Sequence, residues 1–549
     1  MVSSATQQQE PHIVARKNLG WIFYVVCALI VATGLYIRCS TVAVPMLWHD
    51  EATTLAHATG NSSGTMLKDI TDKEITFGTM KDKYLTAKKD ATLPKVWDVL
   101  AKDDPHHAPL FPILLNLWER YVSADLAMVR WVTIAISLFQ VPAMFWLGRE
   151  ISGNNNRVAA LATALLAVSP VNLWYAQELR EYSLLVLLIL VSTAAFIRSM
   201  RTDKIQDWLI YFISLSVGFY ASAFTVFTMA SHALYLLIMQ SPKVGKTYFA
   251  FSKRFLFFVG MLIATLLVCL PRFAVQISRA SQTMEMSDWL SMKRPFIEML
   301  NHALFNTFLT QFDMYQDIGS GYLNILGLLI ILVVTAVVIA RSSRRSALLF
   351  LGCWAGVSMI VFWLPDFIFG GWRTSTVRYW LPIPISFVLT YSLGLVLMMD
   401  AKNIFLKVLA PLMLLFILLC DVFSCNVLVS TAERIEMQPM SLVRIVRVIK
   451  WDGPKLIVTS HAETNFVNTM QVAALSNLVD PNLRLLWLSG DRAVEIKDDY
   501  FLVLNPSNKV KAMLSKMGYR LEPVVEVHST LNYLFSAKRK SASGEVEPG

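Results

Sequence analysis

Eleven stretches of about 20 mostly apolar residues run through this 549-residue chain between residues 19 and 424. At 1.5 Å per helical residue, each matches the roughly 30 Å hydrocarbon core of a bilayer. Lipid offers the backbone no hydrogen-bond partner, so each stretch must satisfy its own amides and carbonyls as a helix. They fall at about 19–39, 126–148, 157–175, 182–200, 205–222, 223–240, 253–274, 322–340, 346–365, 378–399 and 404–424. The expected fold class is an all-α polytopic membrane domain, and composition agrees. Only 16% of residues are charged, against about 25% in soluble proteins.

The net charge of +10 raises a nucleic-acid reading. The basic residues, however, sit in short clusters between apolar runs, and no basic stripe is interleaved with aromatics. They follow membrane topology instead. Alternate connections carry Arg149, Arg157, Arg198, Arg201, Lys204, Lys243, Lys246, Lys253, Arg254, Arg341, Arg344, Arg345, Lys402 and Lys407. The opposite connections carry fewer. The positive-inside rule then places the N-terminus in the cytoplasm, with an uncleaved first span. An odd span count leaves the C-terminus outside. The expected organisation is a cytoplasmic tail at 1–18, a transmembrane domain at 19–426 with an outer loop at 41–125, and an outer C-terminal domain at 427–549.

Leu110–Trp118 is apolar but too short to span, so the helix expected over Asp104–Val122 lies on the outer surface. In the C-terminal region, Leu456–Ser460, Leu483–Ser489 and Tyr500–Pro506 look like buried strands. Ala462–Asn477 and Asn508–Met517 look like the helices between them, giving a small α/β domain. It has no glycine-rich phosphate loop. None of the six cysteines has metal-ligand spacing. Cys420 and Cys425 are near enough in sequence to raise a disulfide.

Candidate chemistry gathers at the outer face. Asp50 and Glu51 follow the first span, at the start of a short helix, where acids also serve simply as caps. His106 and His107 precede the surface helix. The turn between the third and fourth spans carries Glu178, Arg180 and Tyr182. Arg378 and Tyr379 stand at the head of the tenth span. Each has a plain structural reading: interfacial anchors, a surface ion pair, a snorkelling arginine. Together they supply a carboxylate able to take a proton and arginines able to hold a phosphate.

These segments resemble a known family. HDEATTLAHA, HHAPLFPILLNLWERYVSADLAMVRWVTIAISLFQVPAMFWLGREISG, SPVNLWYAQELREYSL and VRYWLPIPISFVL resemble the GT-C class of polyprenyl-phosphate-sugar glycosyltransferases. The likeness is to the branch related to protein O-mannosyltransferases and to the lipid A aminoarabinose transferase. It covers residues 40–200 and 370–390, with Ala108 standing where the family motif has its first proline. The resemblance implies transfer of a sugar from polyprenyl phosphate, with inversion, outside a bacterial inner membrane. Asp50 would be the general base and Glu51 would orient the site. Arg180 and Arg378 would hold the donor phosphate, and His106, His107, Glu178, Tyr182 and Tyr379 would line the substrate. The acceptor would be a glycolipid, polysaccharide or protein. No cofactor is certain. Some relatives use a divalent metal; Asp50, Glu178 and a histidine are residue types that could supply ligands, but the sequence shows no metal-ligand spacing.

The rival is a transporter or flippase for a lipid-linked or anionic solute. It would place ionisable residues at mid-span and show paired broken helices. The candidate charges here sit at one face, which favours the enzyme.

Overall fold

In the computed structural model, each of the eleven apolar stretches is mostly helical over its described residues. Among the described residues, eight helices are long and apolar enough to cross a bilayer: Gly20–Ser40, Leu126–Ser152, Tyr182–Thr202, Lys253–Ser278, Tyr322–Ala340, Arg345–Phe369, Pro382–Met399 and Ile404–Ser424. A bent pair, Asn156–Val168 and Pro170–Gln177, makes a ninth. The other two expected spans, Ile205–Ala221 and Thr225–Met239, are 17 and 15 residues long. The structure describes residues 11–42, 46–239, 253–286, 288–308, 318–379, 381–429, 440–460, 465–492, 494–525 and 534–539. Lys243, Lys246, Trp380 and the expected helix start at Ala462 lie outside them.

The bend in the pair is 58°. Pro170 has no N–H to give the carbonyl four residues back, and it disfavours helical backbone at Ser169. The carbonyls released at the break find other donors. The Asn172 amide donates to Leu166 O at 3.2 Å, and the buried Arg38 guanidinium donates to both Gly34 O and Ala167 O. A Cβ at position 34 would collide with the Ala167 carbonyl, so glycine lets the first span pack against the break. The Gln177 side chain then donates to Ile37 O and Arg38 O, each at 3.2 Å. This ties the outer end of the bent pair to the first span and fixes where the 178–181 turn begins.

The loop expected outside, 41–125, folds over its described residues as five short helices. After the first helix, α1 (Pro11–Ser40), come α2 (His49–Thr59), α3 (Ser63–Ile70), α4 (Phe77–Tyr84), α5 (Leu93–Asp103) and α6 (Leu110–Tyr121). Helix α6 lies within Asp104–Val122, where a surface helix was expected. It buries Phe111, Pro112 and Leu115. Its Asn116 amide donates to Ala58 O and Ala91 O, each at 2.7 Å. Those bonds clamp the C-terminal end of α2. Gly60 closes that end at φ +76°, where a side chain would also strike Lys95.

Strand β1 (Glu74–Thr76) lies in this outer loop, yet belongs to the C-terminal sheet. The other strands are β2 (Leu456–Ser460), β3 (Arg484–Leu488), β4 (Tyr500–Leu504), β5 (Tyr519–Val525) and β6 (Leu534–Arg539). Their order is β1-β3-β2-β4-β6-β5. The three expected strands form the parallel centre, continuous apolar runs buried on both faces. Strands β1, β5 and β6 add antiparallel edges that the sequence reading did not include. The expected helices are present at Asn465–Leu475 and Asn508–Lys516. The Asp72 carboxylate accepts from Ser489 N and Ser489 Oγ at 2.8 and 2.7 Å, fastening the same junction.

One apolar core spans the two regions. Leu47, Ala52, Leu55 and Ala56 around α2 pack with Met470, Ala473 and Leu485. Helix α2 is thus held between the membrane helices and the C-terminal domain. The pairing of β1 with β3 puts both regions on one side of the membrane, so an even number of crossings separates them. The ten expected spans between them satisfy that parity.

The suggested disulfide is not made. Cys420 carries a free thiol, and the side chain of Cys425 lies outside the described residues. Both positions fall on the unbroken helix Ile404–Val429. Five helical residues separate them, about 7.5 Å along the axis, which is beyond disulfide reach.

Candidate active site

Asp50 does not cap its helix. Trp48 holds the N-cap position of α2, and the Asp50 carboxylate turns to Arg378, whose Nη1 donates to Oδ2 at 3.0 Å. His49 Nε2 lies 3.4 Å from the other oxygen. Burial alone would raise the Asp50 pKa. Arg378, then His49, Arg180 and His107, outweigh it and hold the carboxylate well below its usual range. The Arg378 guanidinium also lies over the rings of Trp48 and Tyr379, at 5.7 and 5.5 Å, close enough for cation–π attraction. Tyr379 packs on Phe224 at 4.6 Å.

Arg180 is almost fully buried. Its Nη1 donates to Asp50 O at 3.2 Å and Thr54 Oγ1 at 3.0 Å. Its Nη2 reaches His107 Nε2 at 2.8 Å and Tyr182 Oη at 3.4 Å. Glu181 lies 3.5 Å from its Nε. One guanidinium therefore ties the α2 backbone, the histidine motif and the head of the fourth span together.

Glu51 faces the other way and fixes the backbone around the site. Its Oε1 accepts from Leu179 N at 2.9 Å. Its Oε2 accepts from Arg130 Nη2 at 3.2 Å. The middle residue of the Glu178–Arg180 turn is thereby pinned to α2.

Glu178 is buried beside the same arginines, and its Oε1 has no hydrogen-bond partner. Burial pushes its pKa up to about 8, against Arg378, which lowers it, and with Glu51 raising it further. At neutral pH it is a carboxylic acid, able to donate a hydrogen bond. The two histidines meet at a residue that sequence reasoning passed over. Asp104 Oδ1 lies 2.7 Å from His106 Nδ1 and 2.9 Å from His107 Nδ1. Burial pushes His107 down to about 4, although Asp104 works to raise it. His107 is thus neutral and free to accept from Arg180.

All nine expected site residues therefore fall in one contact network, drawn from four separated segments. Sequence reasoning missed His57, Asp104, Arg130 and Arg272. Arg272 Nη1 and Nη2 donate to Pro105 O and His106 O at 2.6 and 3.1 Å. Arg130 and Arg272 were visible as charges inside apolar runs, positions that are functional by default. His57 was visible as the residue two helical turns beyond Asp50. Among the described residues, the group that gathers three metal-ligand side chains is His57, Asp104 and His107. Asp50 and Glu178, which the sequence offered as residues able to ligate a metal, are not in it.

Residues 106–273 match the family model described as dolichyl-phosphate-mannose-protein mannosyltransferase. The structure is similar in fold to ArnT from Cupriavidus metallidurans solved with bound undecaprenyl phosphate. That alignment has a TM-score of 0.53 at 11% identity, over 94% of this chain and 98% of that one. The apo form of the same enzyme aligns at 0.48 and 10% identity, over 95% and 98%. The Archaeoglobus fulgidus oligosaccharyltransferase aligns at 0.41 and 11%, over 83% and 64%. No curated protein matches by sequence. The chain thus shares a fold with undecaprenyl-phosphate-bound ArnT. The stretch from His106 to the end of the seventh expected span additionally fits the mannosyltransferase family model.

Proposed function

We propose that this chain is an integral-membrane glycosyltransferase. It moves a sugar from a polyprenyl-phosphate carrier to an acceptor on the outer face of a bacterial inner membrane. The acceptor is a glycolipid, a polysaccharide or a protein. The observation that carries this reading is the Asp50–Arg378 pair at 3.0 Å, set beside Arg180. A base and a phosphate-binding cation meet there at the outer ends of the spans. The family match over 106–273 and the fold shared with undecaprenyl-phosphate-bound ArnT support it.

In this mechanism Asp50 takes the proton from an acceptor hydroxyl or amine. The freed electron pair attacks the anomeric carbon, a new glycosidic bond forms with inversion, and the old carbon–oxygen bond breaks. Its electrons remain on the leaving phosphate as polyprenyl phosphate. Arg378 is the better placed phosphate ligand, because Arg180 is committed to four protein acceptors. A phosphate engaging Arg378 draws that cation from Asp50, whose pKa then rises towards the range of a useful base. Donor binding would in this way switch the base on. Glu178, neutral at pH 7, would donate to a phosphate or acceptor oxygen. His106, His107, Tyr182 and Tyr379 would shape the pocket. The C-terminal domain, periplasmic in this topology, braces α2.

The test is Asp50→Asn in a turnover assay with a purified polyprenyl-phosphate sugar. General-base catalysis contributes typically ~10²–10⁴-fold, and turnover should fall by about that much at unchanged thermal stability. Near-wild-type turnover would remove Asp50 as the base.

A further inference from the structure

Behind Arg180, on the far side of His107 from the guanidinium, three side chains converge that the transfer reaction does not use as a group. His57 is on α2. Asp104 is the C-cap of α5. His107 lies in the turn leading to α6. One ligand atom from each lies within 4.8 Å of the other two. The side chains of His57 and Asp104 are each 3% exposed.

The contacts do not read as a self-satisfied hydrogen-bond cluster. His57 Nε2 is 3.2 Å from Asp104 Oδ2, yet Oδ2 has no hydrogen-bond partner. The ring nitrogen and the carboxylate oxygen are close without pointing at each other. His106 Nδ1, 2.7 Å from Asp104 Oδ1, is likewise buried without a hydrogen-bonding geometry. Ligands at 2.0–2.2 Å around a tetrahedral ion stand roughly 3.2–3.6 Å apart. Small side-chain rotations bring the present spread to that value. A cavity of about 210 Å³, lined by His57, Ser62, Ser63, Asp104 and Gln282, opens on the group. It leaves room for an exchangeable fourth ligand, such as water.

We propose that His57, Asp104 and His107 form a binding site for one divalent cation of the zinc class, separate from the Asp50 base. Two imidazoles and a carboxylate suit zinc in preference to magnesium or calcium, which favour all-oxygen shells. The site also communicates with Arg180. A guanidinium only donates, so His107 Nε2 accepts from Arg180, and the ring proton sits on Nδ1 facing Asp104. A cation bound at Nδ1 displaces that proton and leaves N–H on Nε2. Two donors would then face each other at 2.8 Å, so Arg180 must turn away. Cation binding and the Arg180–His107 bond exclude one another.

The experiment is zinc equilibrium dialysis of the full-length protein, purified in detergent and stripped with chelator. Metal content is read by mass spectrometry. The expected result is one equivalent retained by the wild type and lost in His57→Ala and in Asp104→Asn. Arg180→Ala should bind zinc more tightly than wild type, because the competing donor is gone. Cobalt added to the wild type gives a readout that does not depend on any variant folding: the intense visible absorption of a tetrahedral complex. No zinc retained by the wild type, or undiminished zinc in folded His57→Ala and Asp104→Asn, overturns the site. So does a cobalt spectrum that stays that of the hydrated ion. These measurements read binding alone, and stand or fall apart from the transferase reading.

Discussion

Glu51 and Arg130 form an ion pair, Oε2 to Nη2 at 3.2 Å, in which the two side chains are 1% and 2% exposed. It joins α2 to the helix Leu126–Ser152, while the same carboxylate holds the Leu179 amide. Removing one partner of such a pair leaves a buried charge uncompensated, at a cost of about 3–5 kcal/mol. Glu51→Ala should therefore lower the thermal midpoint sharply and abolish activity. Glu51→Ala with Arg130→Met should recover much of the stability and little of the activity. Differential scanning fluorimetry of the single and double variants decides this. A single variant as stable as wild type would show that the pair does not hold the site.

The two site arginines should respond differently to lysine. Arg378 faces Asp50 with one nitrogen and aromatic rings with its face, so Arg378→Lys should chiefly raise donor KM. Hydrogen bonds to charged groups contribute ~1.5–3 kcal/mol, so the rise is expected at about 10- to 150-fold. Arg180 bridges four acceptors that a point charge cannot span together. Arg180→Lys should lower the thermal midpoint and kcat, with a smaller effect on donor KM. Steady-state kinetics with varied donor, beside melting curves, would show the pattern. The reverse pattern would exchange the two roles.

Glu178 makes stability fall with rising pH. Its folded pKa of about 8 stands above the ordinary value of 4.5. Below 4.5 both folded and unfolded chains hold the proton. Between 4.5 and 8 the folded chain alone holds it, so stability declines as pH climbs through this window. Glu178→Gln, isosteric and always neutral, should flatten that decline. At pH 9 it should exceed the wild type by a few kcal/mol, since each pH unit of the window costs the wild type about 1.4 kcal/mol. Melting curves from pH 5 to 9 test this. Parallel pH profiles for the two proteins would contradict a neutral Glu178.

Topology is open to direct labelling. Lys89 and Lys509 are exposed in the outer loop and the C-terminal domain, and Ser343 is exposed in a connection between spans. With membrane-impermeant maleimide on intact cells, Lys89→Cys and Lys509→Cys should label and Ser343→Cys should not. Labelling of Lys89→Cys and Lys509→Cys from opposite sides would be incompatible with the pairing of β1 and β3.

The membrane helices were legible because the signal is redundant: some 20 apolar residues leave few alternatives to a helix. The parallel centre of the sheet was legible for the same reason, in runs such as Leu456–Ser460. Strand β1 was not. Three residues, Glu-Ile-Thr, carry no periodicity, and their partner is remote in sequence. The nine candidate residues could be proposed from sequence because charges at the ends of apolar runs are costly and stand out, and the fold brings them together. Asp104 was passed over because it looked like one more acid in a polar loop. Only folding shows that it is buried between three histidines. The cap reading of Asp50 was reasonable from one turn of sequence, and it gave way to Arg378, 328 residues further along.

Arg484 on β3 reaches Glu74 on β1 across 410 residues of chain. During synthesis, at ~5–20 residues per second, that interval lasts roughly 20–80 s. For most of it, in the proposed topology, the loop bearing Asp50 is across the bilayer while its sheet partner is still unmade. The edge that β1 presents to β3 stays bare meanwhile, of the kind that proteins ordinarily keep covered. Assembly of the site thus ends with the last-made part of the polypeptide. A ribosome that stalls after the final span leaves behind a protein with every membrane helix and no seat for α2.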